Sequence, residues 1–419
     1  MRPSYRPELP PQPHSYRTQV LDHLGLVAGM FDALGLAEVM DQATQQDPAM
    51  RMVTAGHAVN AMVLNGLGFL NQQLYLVPHF FQNKPISRLI APGIQASHLN
   101  DDPLGRALDT LYNYGVTALY SLIAATAARR LGLTSTFAHL DTTSFHVDGR
   151  SNSHEAPDEQ VVHITPGSSR DHRPDLNQVM LELIVEHQAG IPILMQPLSG
   201  NSSDVSEFGQ VIKDHIAQLH TTYGATSLVA DSALYSADNL QKLSETQMKW
   251  ITRVPATLGE AQAVLAQADP QTMAPLREGY RFRVVSSTYG GVAQRWVLLH
   301  SEQRQPQVQR TVKTQWRTQS DQEVRAFKRL CRTAFACEAD AQQALTSFAA
   351  GLQTTVLHDS LVCPTPHYGK RGRPGPGTQP DQLVSYIIGA LASQLTDHRA
   401  RVDQQSCFIL ATNERDEEQ

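Results

Sequence analysis

Two short stretches decide the fold: residues 137–147, FAHLDTTSFHV, and residues 227–235, SLVADSALY. Each is a β-branched, apolar run that carries one aspartate, Asp141 within the first and Asp231 at the end of the apolar part of the second. Alternation along an extended chain puts Asp141, Thr143 and Phe145 on one side of a strand. Asp231 follows Leu228, Val229 and Ala230 and precedes a turn into a helix, so its carboxylate should emerge at the carboxyl end of a strand, where α/β sheets place ligands. Two carboxylates at strand positions of one sheet are the oxygen donors that Mg²⁺ or Mn²⁺ needs, and paired cations point to phosphodiester chemistry. Taken singly, each acid has an ordinary account: a hydrogen-bonded structural Asp at 141 and an N-cap at 231.

Outward from these runs, the apolar period predicts further strands over 179–186 and 191–198, joined by a turn containing Gly190. A helix over 205–219 follows, with Ser203 or Asp204 as its cap, and then a strand over 227–230, a helix over 237–247 and a strand over 250–253. Upstream, residues 22–133 read as helices, with Asn100 as a cap ahead of the first-turn Pro103. Residues 1–16 hold five prolines and little periodic apolar content, which suits an extended lead-in. Downstream, GYRFRVVSSTYGGVAQRWVLLH (279–300) reads as a hairpin, residues 320–352 as helical, 381–395 as a last helix and CFILATN (407–413) as a strand. The periodicity alone supports an α/β class with five segments: 1–20, 21–133, 134–254, 255–400 and 401–419.

Composition narrows the function. With 41% hydrophobic and 18% charged residues the chain reads as soluble and globular, with no apolar run long enough to span a bilayer and no signal-peptide pattern, so a cytoplasmic location is the default. Four cysteines without CxxC spacing argue against a zinc site or a disulfide framework. His139, His146 and His163 lack helical ligand spacing, which argues against a histidine-based metallohydrolase. The net charge of −6 excludes a uniformly positive surface, so nucleic-acid binding would require local concentration of charge. Lys and Arg do cluster, over 277–283, 304–317, 325–332 and 370–373; each cluster alone is equally a solvated face.

Four motifs in order carry a family resemblance. HLDTTSFHVDG contains Asp141, GSSRDHRPDLNQVML spans 167–181, GIPILMQPLSGNSSD spans 190–204, and ADSALY contains Asp231. This set resembles the DDE transposases of the IS4-like group, most closely the IS1634-type branch, over nearly the whole chain. The resemblance implies an RNase H-like mixed sheet with an N-terminal helical domain and an inserted α+β module. It implies Asp141 and Asp231 as the first two metal-binding catalytic aspartates, Mg²⁺ or Mn²⁺ as cofactor, duplex DNA at element ends and target as substrate, and a homodimer. Arg170, His172 and Arg173 are candidate phosphate contacts, because guanidinium groups bind phosphate bidentately. Lys370, Arg371 and Arg373, in GKRGRP, resemble an AT-hook core that enters a narrow minor groove, with a basic linker as the competing account. CFILATN matches the family strand that precedes the third acidic residue, but the expected E-x-x-F-R-x-x-K run has no counterpart, and Glu414, Glu417 and Glu418 lie too close behind the strand. The expectation is therefore a truncated, impaired transposase, or alternatively a non-catalytic DNA-binding or dimerising fragment that modulates a full-length enzyme.

Overall fold

The computed structural model describes residues 18–45, 51–69, 72–148, 161–167, 173–369, 375 and 377–416. Helices come first: α1 (Leu24–Ala33), α2 (Leu36–Ala43), α3 (Ala55–Gly66), α4 (Val77–Phe81), α5 (Ile86–Leu89), α6 (Asp101–Tyr114) and α7 (Val116–Leu131). There follow β1 (Phe137–Val147), β2 (Thr165–Pro166), β3 (Asn177–Glu186), β4 (Pro192–Ser199), α8 (Asp204–Tyr223), β5 (Ser227–Ala230), α9 (Ala237–Glu245) and β6 (Lys249–Arg253). The remainder comprises α10 (Gly259–Ala266), β7 (Ala274–Arg277), β8 (Tyr280–Tyr289), β9 (Val292–Ser301), α11 (Gln305–Arg332), α12 (Glu338–Ala350), β10 (Thr355–His367), β11 (Gln382–Ser393), α13 (Leu395–Gln405) and β12 (Cys407–Thr412). The chain divides into two compact units, residues 1–233 with 242–248 and residues 234–241 with 249–419. No helix among the described residues is long and apolar enough to cross a membrane.

In the first unit the early helices close around Leu24, Leu64, Phe81, Leu89, Leu99 and Leu104, all essentially sealed from solvent. Side chains of this size each contribute about 1.5–3 kcal/mol when fully buried. Helix starts follow the sequence signals. Thr54 Oγ1 accepts from the His57 amide at 3.2 Å while His57 Nδ1 accepts from the Thr54 amide at 3.4 Å, a reciprocal cap on α3. Asn100 Oδ1 accepts from the Asp102 amide at 3.2 Å, and Pro103 sits in the first turn of α6.

The sheet of this unit runs β4-β3-β1-β5, with β2 pairing the same edge of β3 beyond the end of β4. β3 is antiparallel to β1 and β4, and β5 is parallel to β1. Alternate residues of β3, Gln178, Met180, Glu182, Ile184 and Glu186, are buried, which is the period of two expected of NQVMLELIVE. The β3–β4 hairpin turns as predicted at Gly190, whose φ of 71° suits glycine. Glu186 fixes that turn by accepting from the amides of Gln188, Ala189 and Ile191 at 2.7, 2.6 and 3.1 Å. Burial alone would raise its pKa; these amides outweigh burial and hold it below the ordinary value. α7 lies against β4, and the Tyr120 hydroxyl donates to the Pro192 carbonyl at 3.0 Å. α8 carries the chain from β4 back to β5. Its N-cap residue is Ser203, which makes no side-chain cap hydrogen bond, so the side-chain cap expected of Ser203 is absent and only its backbone shape is used.

In the second unit β6-β12-β9-β8-β7 are antiparallel neighbours. The predicted hairpin is β8–β9, reversed at Gly290 and Gly291 with φ of 58° and 79°. Asn413, the last residue of the ATN run, accepts from the Trp250 amide through Oδ1 at 2.9 Å and ties the end of β12 to the start of β6. Separately, β10 and β11 form a two-stranded ribbon packed by α11 and α12 around Phe327, Ala341, Leu345 and Ile387. The helix expected over 381–395 is therefore corrected to strand β11. QLVSYIIGALAS is short, apolar and β-branched, a composition that fits either period, and pairing with β10 decides it. β10 itself was not predicted.

Glu323 joins α11 to this ribbon. Its carboxylate, 6% exposed, accepts from Gln319 Nε2 at 3.1 Å, the Gln353 and Thr354 amides at 2.9 and 3.2 Å, and the Thr354 and Thr355 hydroxyls at 2.8 and 2.7 Å. Burial alone would raise its pKa, but these donors outweigh burial and bring it down to about 2.

Candidate active site

β1 and β5 form because their apolar, β-branched residues cover one another in a parallel pair whose register is Phe137–Ser227, Ala138–Leu228, His139–Val229 and Leu140–Ala230. Asp141 and Asp231 each directly follow the last paired position. Neighbouring strands lie about 4.8 Å apart, so this register sets the two backbones side by side at the carboxyl end of the pair. Both aspartates are exposed, whereas Leu140 and Thr142 on either side of Asp141 are buried. The strand pleat therefore points Asp141 away from the packed face, as the alternation predicts.

The local backbone also orients both carboxylates. Asp141 Oδ1 accepts from the Thr142 amide at 2.8 Å. Asp231 Oδ1 accepts from the Ala233 amide at 2.9 Å, capping the single 3₁₀ turn Ser232–Leu234 that leaves β5. The capping role foreseen for Asp231 is thus present, and it uses one carboxylate oxygen. Among the described residues no group of three or more His, Cys, Asp or Glu side chains is placed to hold a metal ion. Carboxylate oxygens in solvent reach suit Mg²⁺ or Mn²⁺ better than a soft cation.

Two histidines not foreseen as a pair stand on the same side of β1. His139, two residues before Asp141, meets His187 through Nε2···Nδ1 at 2.9 Å. Burial first, and the neighbouring imidazole second, push the His139 pKa below its ordinary value. The sequence signal was thin: His187 lies in the β3–β4 turn and nothing local ties it to residue 139.

The remaining predicted contacts fare differently. Arg173 is exposed, and its guanidinium already forms a fork with Asp175, Nε to Oδ1 at 2.9 Å and Nη2 to Oδ2 at 2.7 Å. That hydrogen bond holds Asp175 down to about 2, and a phosphate approaching Arg173 must displace it. Arg170, His172, Lys370, Arg371 and Arg373 lie outside the described residues.

The structure also explains the glycines of the two motif segments flanking β3. Gly200, in PLSGNSSD, sits where β2 takes over from β4 along the β3 edge; its amide donates to the His163 carbonyl at 3.0 Å and its carbonyl accepts from Gln178 Nε2 at 2.7 Å. A Cβ on Gly200 would overlap the Gln178 and Thr165 carbonyl oxygens, and one on Gly167, in the GSSRD segment, would overlap the Gly200 carbonyl. The two segments are back to back, and both glycines are there for close approach.

Known proteins add little to this geometry. Residues 16–125 match a family described as a domain of unknown function (DUF4277), a stretch that runs from α1 into α7 and ends before β1. No curated protein matches the chain. Among solved structures the chain is similar to a piggyBac transposase in a synaptic complex with hairpin DNA, determined by cryo-EM, at 11% identity and a TM-score of 0.33. That likeness covers 68% of this chain and 61% of the other, so this chain spans less than two thirds of that protein's length.

Proposed function

We propose that the chain is a DDE-type DNA transposase of the IS4-like group, IS1634-type branch, in which Asp141 and Asp231 hold Mg²⁺ or Mn²⁺ for strand cleavage and transfer at element ends. The observation that carries the reading is the β1–β5 register, which sets the two acids of the HLDTT and ADSAL motifs on adjacent strands at the carboxyl end of a parallel pair. The β4-β3-β1-β5 order, three antiparallel strands followed by one parallel strand after a helix, supports an RNase H-like sheet. The donor set fits the metal: two exposed carboxylates, each accepting a hydrogen bond from a backbone amide.

When bound, paired Mg²⁺ ions lower the pKa of an attacking hydroxyl and stabilise the leaving oxygen. The protein's own contribution is positional. β1 and β5 fix the spacing of the two carboxylates by backbone pairing, and the amides of Thr142 and Ala233 each orient one oxygen so that the carboxylates need little reorganisation on binding. Duplex DNA is the substrate in this reading, and a dimer working on paired ends is the assembly that the family resemblance supports.

Mn²⁺ binding, followed by the paramagnetic signal of the free ion, tests the proposal. The expected result is saturable binding in the wild-type chain that weakens at least tenfold in Asp141→Asn and in Asp231→Asn. Equal binding in all three chains overturns it. A second reading is a non-catalytic DNA-binding or dimerising fragment that modulates a full-length transposase. That reading expects DNA binding unaltered by Asp231→Ala and no nicking of supercoiled DNA with Mn²⁺.

A further inference from the structure

Helix α11 brings two of the sequence's basic clusters onto one surface. Arg310, Lys313, Arg317, Arg325, Lys328 and Arg332 recur at intervals of three, four, eight, three and four residues, which on a 3.6-residue turn is a single stripe. All six are exposed. The buried residues Val312, Trp316, Glu323 and Phe327 occupy a different face, toward α13 and β11. Asp321, at the middle of the stripe, is its one acid, because Glu323 is committed to the ribbon.

Among the described residues none of the six forms an ion pair, and along the stripe only Asp321, between Arg317 and Arg325, carries the opposite charge. Like charges at these spacings oppose helix formation, and an amphipathic helix in need of solubility alone interleaves Glu with Lys. Six cations against one acid, in a chain whose net charge is −6, are a local concentration of positive potential. From Arg310 to Arg332 it extends about 33 Å at 1.5 Å per residue. That is close to the roughly 34 Å of one turn of duplex DNA.

We infer that the exposed face of α11 is a docking surface for the phosphate backbone of duplex DNA, contacted over about one helical turn and without base reading. The choice of DNA among polyanions rests on the carboxylate-pair proposal; the charge stripe does not.

The test is fluorescence anisotropy with a labelled 24-base-pair duplex, titrated with the full chain from 50 to 200 mM NaCl. Two triple variants, Arg310→Gln with Lys313→Gln and Arg317→Gln, and Arg325→Gln with Lys328→Gln and Arg332→Gln, keep helix-forming side chains; circular dichroism checks their helix content. Each lost phosphate contact flattens the plot of log affinity against log salt by about 0.9, so each variant is expected to flatten it by about 2.7 and to bind at least tenfold more weakly. Slopes and affinities equal to wild type, no binding by the wild-type chain at 50 mM NaCl, or tighter binding of duplex RNA of the same sequence would each overturn the inference. Unchanged slopes with Asp141-dependent Mn²⁺ binding defeat this surface alone. Flattened slopes with Mn²⁺ binding indifferent to Asp141 defeat the carboxylate proposal alone.

Discussion

Replacing Glu323 by Gln keeps the shape of the side chain and removes its charge, and the structure fixes how much this should matter. Burial alone would raise the pKa of this carboxylate; donors from Thr355, Gln353, Thr354 and Gln319 instead lower it from the ordinary 4.5 to about 2. At 1.36 kcal/mol per unit this displacement bounds the stabilisation at about 3 kcal/mol, and residual solvent screening brings it to about 2 kcal/mol. Because the folded-state pKa lies below the unfolded value, the contribution is complete well above pH 4.5 and fades as pH falls toward about 2. The chain has two units, so a single unfolding midpoint would mix them, whereas amide hydrogen exchange at 353–355 reads the local opening directly. The expected outcome is about 30-fold less protection of the Gln353 and Thr354 amides in Glu323→Gln at pH 7, with the penalty shrinking below half by pH 3. A penalty under about 0.5 kcal/mol, or one independent of pH, would refute the reasoning that the charge, and not the shape, of Glu323 holds α11 to the ribbon.

Other substitutions probe the remaining joints. Gly200→Ala forces a methyl into the Gln178 and Thr165 carbonyls and is expected to cost about 3 kcal/mol, seen as faster exchange of the Gly200 amide; unchanged exchange would mean that the β2–β3 edge is looser than described. Asn413→Ala leaves the Trp250 amide without its side-chain acceptor and is expected to cost about 1–2 kcal/mol, seen as faster exchange of that amide. Asp175→Ala releases the Arg173 fork, so if Arg173 is a phosphate contact, duplex binding should strengthen in this variant and remain unchanged in Asp175→Ala with Arg173→Gln.

Much of this arrangement was legible in the residues. β1 alternates, β5 is a short apolar run that ends at Asp231, and β8–β9 reverse at turn glycines; their boundaries in the structure match the sequence reading to within a residue. The register that sets Asp141 beside Asp231 was not legible, because strand pairing across eighty-odd intervening residues leaves no local mark. Nor was the fate of residues 382–393, where an apolar, β-branched run carries both periods and only the partner strand β10 resolves it. The basic clusters over 304–317 and 325–332 were visible as separate patches; their fusion into one stripe needed the knowledge that Thr318–Val324 between them continues the same helix. Arg173 shows the reverse case: a residue chosen for its chemistry proved to have a carboxylate partner two positions away.

The way the β1–β5 register places Asp141 and Asp231 has a practical consequence for redesign. The relative position of their backbones is written in the peptide ladder between β1 and β5, so any change in residue count inside either strand shifts one acid out of step. A residue inserted at Gly190, at the tip of the β3–β4 turn and beyond the last β1–β3 pair, Ala138 with Glu186, would leave the two acids aligned; one codon deleted between 137 and 141 would not.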